Sequence, residues 1–233
     1  MRCYLFTSSC AFAAIAFVIF ISDLGTSVAG DELSNNLIDV DVYYESLCSD
    51  SKRWLRVQLA ESYQILKDYI RLNFIPYGKA SQTADEATGR WSFACQHGPD
   101  ECNGNKAQAC AIHAIQKEEP ADKVQELTER VVVCAMSTRF PPSEVETCAE
   151  KLWASQKTQD SIKSCISSSL ADELLAEYGR KTAALSPPIS FVPTIVINGV
   201  YSKENQNKAL NNFLKLICDN LQEGAKPSEC STA

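Results

Sequence analysis

Between residues 37 and 76 the chain changes its hydrophobic period twice. Ile38, Val40, Val42 and Tyr44 alternate with polar positions through residues 37–47, the two-residue period of a strand with one buried face. From Asp50 to about Tyr69, Leu55, Leu59, Tyr63 and Leu66 recur at intervals of three and four among charged residues, which predicts an amphipathic helix. Residues 70–75 alternate again until Pro76-Tyr77-Gly78 ends the run. Strand, helix and strand in that order predict a parallel pair joined by a crossover helix. Residues 79–101, rich in Ser, Thr, Gly, Asp and Gln, read as loop.

From about Glu101 to Ala184 the sequence turns helical, with Ala, Glu, Lys and Gln dominant and breaks at Pro120 and Pro141-Pro142. After Pro187-Pro188 it returns to strand: Thr194-Ile195-Val196-Ile197, then Asn198-Gly199 as a hairpin turn into Val200-Tyr201. A helix through Leu210, Phe213, Leu214, Leu216 and Ile217 follows. The order of elements predicts an α/β protein, a thioredoxin-like fold with an inserted disulfide-rich helical subdomain. Its core spans about 37–94 and 187–233, its helical insertion about 95–186, and residues 30–233 form one domain.

Composition narrows the class. The formal charge of -7 leaves no overall positive field, so nucleic acid is not an expected partner. Arg2 precedes the apolar run Ala11 to Ile21, and Ser27-Val28-Ala29 offers a small-x-small cleavage site, so residues 1–29 read as a secretory signal peptide. That run is shorter than the roughly 18–20 residues a membrane span needs, and no later stretch qualifies. Of eleven cysteines, cleavage would remove Cys3 and Cys10 and leave nine, an odd number, in an oxidising compartment. At least one thiol is then free or paired with another chain.

Cys48 is the candidate. It lies where the first strand passes into the first helix, and a helix N-terminus favours thiolate over thiol; Lys52 and Arg53 add to this, and Asp50 opposes it. Three positions on, where a dithiol oxidoreductase carries its resolving cysteine, stands Ser51, whose oxygen can donate a hydrogen bond but cannot form a disulfide. The plainer alternatives are a buried inert thiol or one partner of a fifth disulfide. The remaining cysteines are expected to pair, with Cys95, Cys102, Cys110, Cys134, Cys148 and Cys165 bridging the insertion and Cys218 bending back to Cys230 through Gly224 and Pro227. Three cysteines and His97 within the stretch from Cys95 to Cys110 also admit zinc ligation. The spacing fits no common C-x₂-C pattern, however, and export favours disulfides, so no metal site is expected. A lone histidine is more often structural than catalytic, although His97 would serve as a base if the fold brought it to the thiol.

The run Cys95-Gln96-His97-Gly98-x-x-Glu101-Cys102-x-x-Asn105-x₄-Cys110 resembles the signature of the gamma-interferon-inducible lysosomal thiol reductase family. The resemblance extends to Tyr43-Tyr44-Glu45-Ser46-Leu47-Cys48, to Pro76-Tyr77-Gly78-Lys79-Ala80, to Gly89-Arg90-Trp91, and to Val192-Pro193-Thr194 with Asn198-Gly199. It implies a thioredoxin-like fold and the reduction of protein disulfides at acidic pH by a CxxC pair, of which this sequence keeps Cys48 and has Ser51 in second place. It also implies that the Val192–Pro193 bond is cis, with Pro193 against the reactive cysteine as a substrate contact; the plainer alternative is a strand-entry proline away from it. Family enzymes are routed to lysosomes through N-linked glycans, and no Asn-x-Ser/Thr triplet occurs here, so the extracellular space is expected, with lysosomal residence as the alternative. Two functions remain. One is an interaction protein that keeps the fold, binds a protein or cell-surface partner and lacks dithiol turnover. The other is a monothiol reductase in which Cys48 attacks a protein disulfide and glutathione or another small thiol, the one co-reactant envisaged beside no bound cofactor, releases the adduct.

Overall fold

The computed structural model describes residues 37–232, so the expected signal peptide lies outside the described residues. β1 (Ile38–Tyr44) pairs in parallel with β2 (Ile70–Pro76), Ile38 opposite Ile70, and antiparallel with β5 (Thr194–Ile197), giving the sheet order β2-β1-β5. The crossover from β1 to β2 is one helical stretch: α1 (Ser49–Trp54), a π-helical segment (Leu55–Leu59) and α2 (Ala60–Leu66). Alternation along β1 sends Val40, Val42 and Tyr44 to one face, where they pack with Leu55, Leu59 and Tyr63 of the crossover and with Phe213 and Leu216. Tyr43, with Ile75 and Val196, faces the other way onto Leu175. Both faces of the sheet are therefore covered, as a two-residue period with apolar residues at both parities requires.

The insertion comprises α3 (Pro99–Glu118), α4 (Ala121–Ser137), a 3-10 turn (Pro141–Ser143), α5 (Val145–Lys151), α6 (Gln156–Ile166) and α7 (Leu170–Ala183). It has a core of its own, with Ile115, Val131, Val145 and Ile162 at its centre, and also joins the main core, where Ile112 of α3 and Val132 and Met136 of α4 pack in the same cluster as the β1 side chains. Its bridges are Cys95–Cys102, Cys110–Cys165 joining α3 to α6, and Cys134–Cys148 joining α4 to α5; Cys218–Cys230 closes the C-terminal segment. The three cysteines considered as zinc ligands are thus all in disulfides.

Three local expectations change. The stretch 79–101 contains an antiparallel hairpin, β3 (Ser81–Ala84) with β4 (Trp91–Ala94), held to α7 when Gln82 Nε2 donates to the Ala176 carbonyl at 3.1 Å. Val200-Tyr201 does not form a strand. Asn198 and Gly199 both take positive φ, as a two-residue hairpin turn needs, but only the bridge Ile197 to Val200 follows. Asn198 instead turns to β1, accepting from Asp39 N–H at 2.9 Å and donating its own N–H to the Asp39 carbonyl at 2.8 Å. The last helix is two helices, α8 (Lys203–Asn211) and α9 (Phe213–Asn220), because Asn212 leaves helical geometry and its side chain caps Lys215 N–H.

Glu129 on α4 is 4% exposed, and burial, with Glu126 nearby, pushes its carboxyl up to about 7 against the opposing pull of Arg130. The folded state then keeps a proton that the unfolded carboxyl has released, so this group's contribution to stability falls as pH rises from about 4.5 through 7. Glu129→Gln is expected to raise the melting temperature by roughly 2–4 °C at pH 7.5 and to leave it nearly unchanged at pH 4.5. Thermal melts of both proteins at the two pH values test this, and equal gains at both would contradict it.

Candidate active site

Cys48 is the free cysteine among the described residues and sits at the N-cap of α1, with its carbonyl accepting from Lys52 N–H at 3.0 Å. Its thiol is mostly buried and lies 3.8 Å from the Val192 carbonyl, the group just before the cis bond to Pro193 that leads into β5. The sheet order explains the meeting: β1 ends at Tyr44 and β5 begins at Thr194 on the neighbouring antiparallel strand, so the end of one and the start of the other share one edge. Of the charges near the thiol, Asp50 pairs with Arg53 at 3.5 Å, and Lys52 reaches to the Arg139 carbonyl.

A groove of about 440 Å³ runs alongside, with Trp54, Val57, Phe191, Pro193 and Leu210 in its walls. Val57, Phe191 and Leu210 are exposed apolar side chains on this one face. Trp54 is buried beneath, its indole N–H donating to the Ala209 carbonyl at 2.8 Å and its ring edge-to-face with Phe213. Ser51 lies one helical turn beyond Cys48, fully buried, and its hydroxyl has no hydrogen-bond partner among the described residues.

The side-chain partners of His97 are two carboxylates. Its Nδ1 is 2.5 Å from Glu101 Oε2 and 3.6 Å from Glu45 Oε2, and no hydrogen bond links it to Cys48. The signature segment instead grips the three residues before the cysteine turn. Ser46 N–H donates to Asn105 Oδ1 at 2.9 Å, the Ser46 hydroxyl donates to the Glu101 carbonyl at 3.0 Å, and the Tyr44 hydroxyl donates to Gln108 Oε1 at 2.5 Å. Glu101, Asn105 and Gln108 are spaced four and three apart, which puts them on one face of α3. From the other side, Lys79 N–H donates to Glu45 Oε1 at 2.7 Å. Burial, with Glu101 adding to it, pushes the Glu45 carboxyl above the usual carboxylate range, against the Lys79 bond and His97.

Two glycines make these approaches possible. Gly78, at φ +61°, lies so close to Glu45 that a Cβ there would come within 2.2 Å of Glu45 Cγ. A Cβ on Gly104 would come within 2.4 Å of Ser46 Oγ and 3.0 Å of Pro142. Gly104→Ala must therefore push the 45–48 turn or α3 aside, an overpacking cost of about 1–3 kcal/mol. The expected result is a lower melting temperature together with an altered rate of Cys48 alkylation by iodoacetamide; both unchanged would mean that α3 does not set the turn. Polar residues at the start of a helix ordinarily read as solvated, which hid this clamp; its visible trace in the sequence is the spacing 101, 105, 108.

A free thiol at a strand-to-helix junction, facing the carbonyl before a cis-proline at the head of the adjoining strand, defines a thioredoxin-like protein of the thiol–disulfide class. The fold aligns with the MdbA protein, a thiol-disulfide oxidoreductase from Actinomyces oris, at a TM-score of 0.55 over 82% of this chain and 83% of that one, with 14% identity, a likeness of fold alone. Residues 39–152 match the family described as Gamma interferon inducible lysosomal thiol reductase (GILT). A gamma-interferon-inducible lysosomal thiol reductase from Carassius auratus is 33% identical over 83% of this chain and 72% of its own length. A gamma-interferon-inducible lysosomal thiol reductase-like protein from Anopheles gambiae is 34% identical over 83% and 80%. The chain belongs to the gamma-interferon-inducible lysosomal thiol reductase family.

Proposed function

We propose that this chain is a secreted member of its family that engages protein partners through the Cys48 face and does not complete dithiol turnover. Ser51 carries the reading. Attack by the Cys48 thiolate on a partner disulfide forms one S–S bond and expels the partner's other sulfur as thiolate, which needs no second group on this chain. Release requires a further sulfur to attack the mixed disulfide, and the residue one turn along the helix offers only oxygen. The exposed apolar side chains beside Cys48 and the backbone before Pro193 suit an extended polypeptide, so the partner is a protein. Secretion is supported by the export-type segment at residues 1–29; among the described residues no helix is long and apolar enough to cross a membrane.

The free state of Cys48 and its place at a helix N-cap favour a second reading, in which glutathione or a similar small thiol attacks the mixed disulfide, regenerates Cys48 and leaves its own sulfur on the partner. Incubation with a disulfide-bonded peptide, acid quench and non-reducing peptide mass spectrometry separate the cases. A stable adduct on Cys48, absent in Cys48→Ser and persistent after glutathione is added, is the expected result, whereas its rapid loss on adding glutathione, with Cys48 recovered free, is the result of the second reading. No adduct at any pH would remove both readings.

A further inference from the structure

The carboxylates of Glu45 and Glu101 are both fully buried and meet at His97. One oxygen of each is fixed by a backbone donor: Glu45 Oε1 by Lys79 N–H at 2.7 Å, and Glu101 Oε1 by His97 N–H at 3.0 Å. The remaining oxygen of each points at the same atom, His97 Nδ1, at 2.5 Å for Glu101 and 3.6 Å for Glu45. A single Nδ1 proton serves one of them. Glu45 Oε2 is left buried with no hydrogen-bond partner among the described residues, facing a second carboxylate. Such an atom is costly unless a positive charge meets it.

From this geometry we infer that Glu45, His97 and Glu101 form a binding site for a divalent transition-metal cation of the zinc type. Two carboxylate oxygens and one imidazole nitrogen, all within 4.8 Å of one another, are a three-ligand set that leaves a position open to water. Imidazole selects against magnesium and calcium, which prefer oxygen alone. Both carboxylates already have the backbone partners that orient metal-bound carboxylates. Ligand atoms around tetrahedral zinc stand about 3.4 Å apart, so the cation replaces the Nδ1 proton, and the His97–Glu101 edge opens by about 0.9 Å. The His97 side chain is 40% exposed, which gives the ion a path in and the ring room to move. The site does not depend on the thiol chemistry above: it uses neither Cys48 nor Ser51.

Titration of the oxidised full chain with Zn²⁺ at pH 7 by calorimetry tests this. One equivalent is expected to bind, with affinity at least about tenfold weaker in His97→Ala and in Glu45→Gln and unchanged in His113→Ala, which alters the other histidine, outside the cluster. X-ray absorption at the zinc edge on the unmodified protein keeps the test open should a variant fail to fold: a first shell of nitrogen and oxygen at about 2.0–2.2 Å is expected. No binding, binding indifferent to His97→Ala, or sulfur at about 2.3 Å would overturn the site.

Discussion

Ser51→Cys is expected to turn a single-use thiol into a cycling one. With the same limiting supply of dithiol reductant, the variant should release substrate thiol roughly tenfold or more faster than the unmodified chain, whose mixed disulfide waits on attack by the reductant, since the resolving attack becomes intramolecular. The substitution suits the fold. The Ser51 hydroxyl is buried and unpartnered, an arrangement costing about 1–3 kcal/mol, and cysteine behaves there as a small apolar side chain. The variant should therefore melt no lower than the parent. Reduction of insulin followed by turbidity, with the variant and parent side by side, reads the effect. A folded Ser51→Cys protein with parent-like turnover would mean that the site differs from a cycling one by more than this residue, and would favour partner binding without thiol exchange.

The second large effect is on stability. Cys110–Cys165 ties α3 to α6 across 55 residues of sequence, the longest loop closed by any bridge among the described residues. Opening it frees the unfolded chain by about 4 kcal/mol on the loop-entropy account, which for a protein of this size lowers the melting temperature by roughly 8–16 °C. Both cysteines lie in a buried cluster with Ala171, so the double substitution to alanine also loses packing. Because Glu101, Asn105 and Gln108 on the same α3 hold the turn before Cys48, loosening α3 is expected to raise the alkylation rate of Cys48 as well. Calorimetric melts of Cys110→Ala/Cys165→Ala test the first effect and timed alkylation the second. A shift below about 2 °C would contradict the loop argument.

What the sequence made legible follows physical lines. The β1, crossover helix and β2 unit was readable because its apolar residues keep one strict period per element and each element buries a face in the same core. The hairpin of β3 and β4 was not, because its strands are four residues long and mostly exposed; their order comes from a single polar contact to α7 and from Phe93 packing near Leu175. The break at Asn212 was hidden for a similar reason, since an asparagine within an apolar-periodic run gives no warning until its side chain caps the next helix. At the site, Cys48 and Pro193 were legible from position and resemblance, and the structure brings them to the same edge. The surroundings of His97 were not: the sequence gives no sign that the path of α3 past Glu45 sets its ring between two buried carboxylates. Glu45 and Asn105 were visible only as motif residues, and their contacts were not legible because polar residues after a strand or early in a helix are ordinarily left to solvent.

Turnover by the unmodified protein at acidic pH is the most direct test of the account. Chain reduced beforehand and freed of reductant is mixed at low concentration with a large excess of a disulfide-bonded substrate, with no other thiol or dithiol present, and released substrate thiol is counted per Cys48. The account predicts a rise that stops near one equivalent, with the missing sulfur found by mass spectrometry on Cys48 as a mixed disulfide. Release of two equivalents per Cys48, with no substrate left on Cys48, would contradict it.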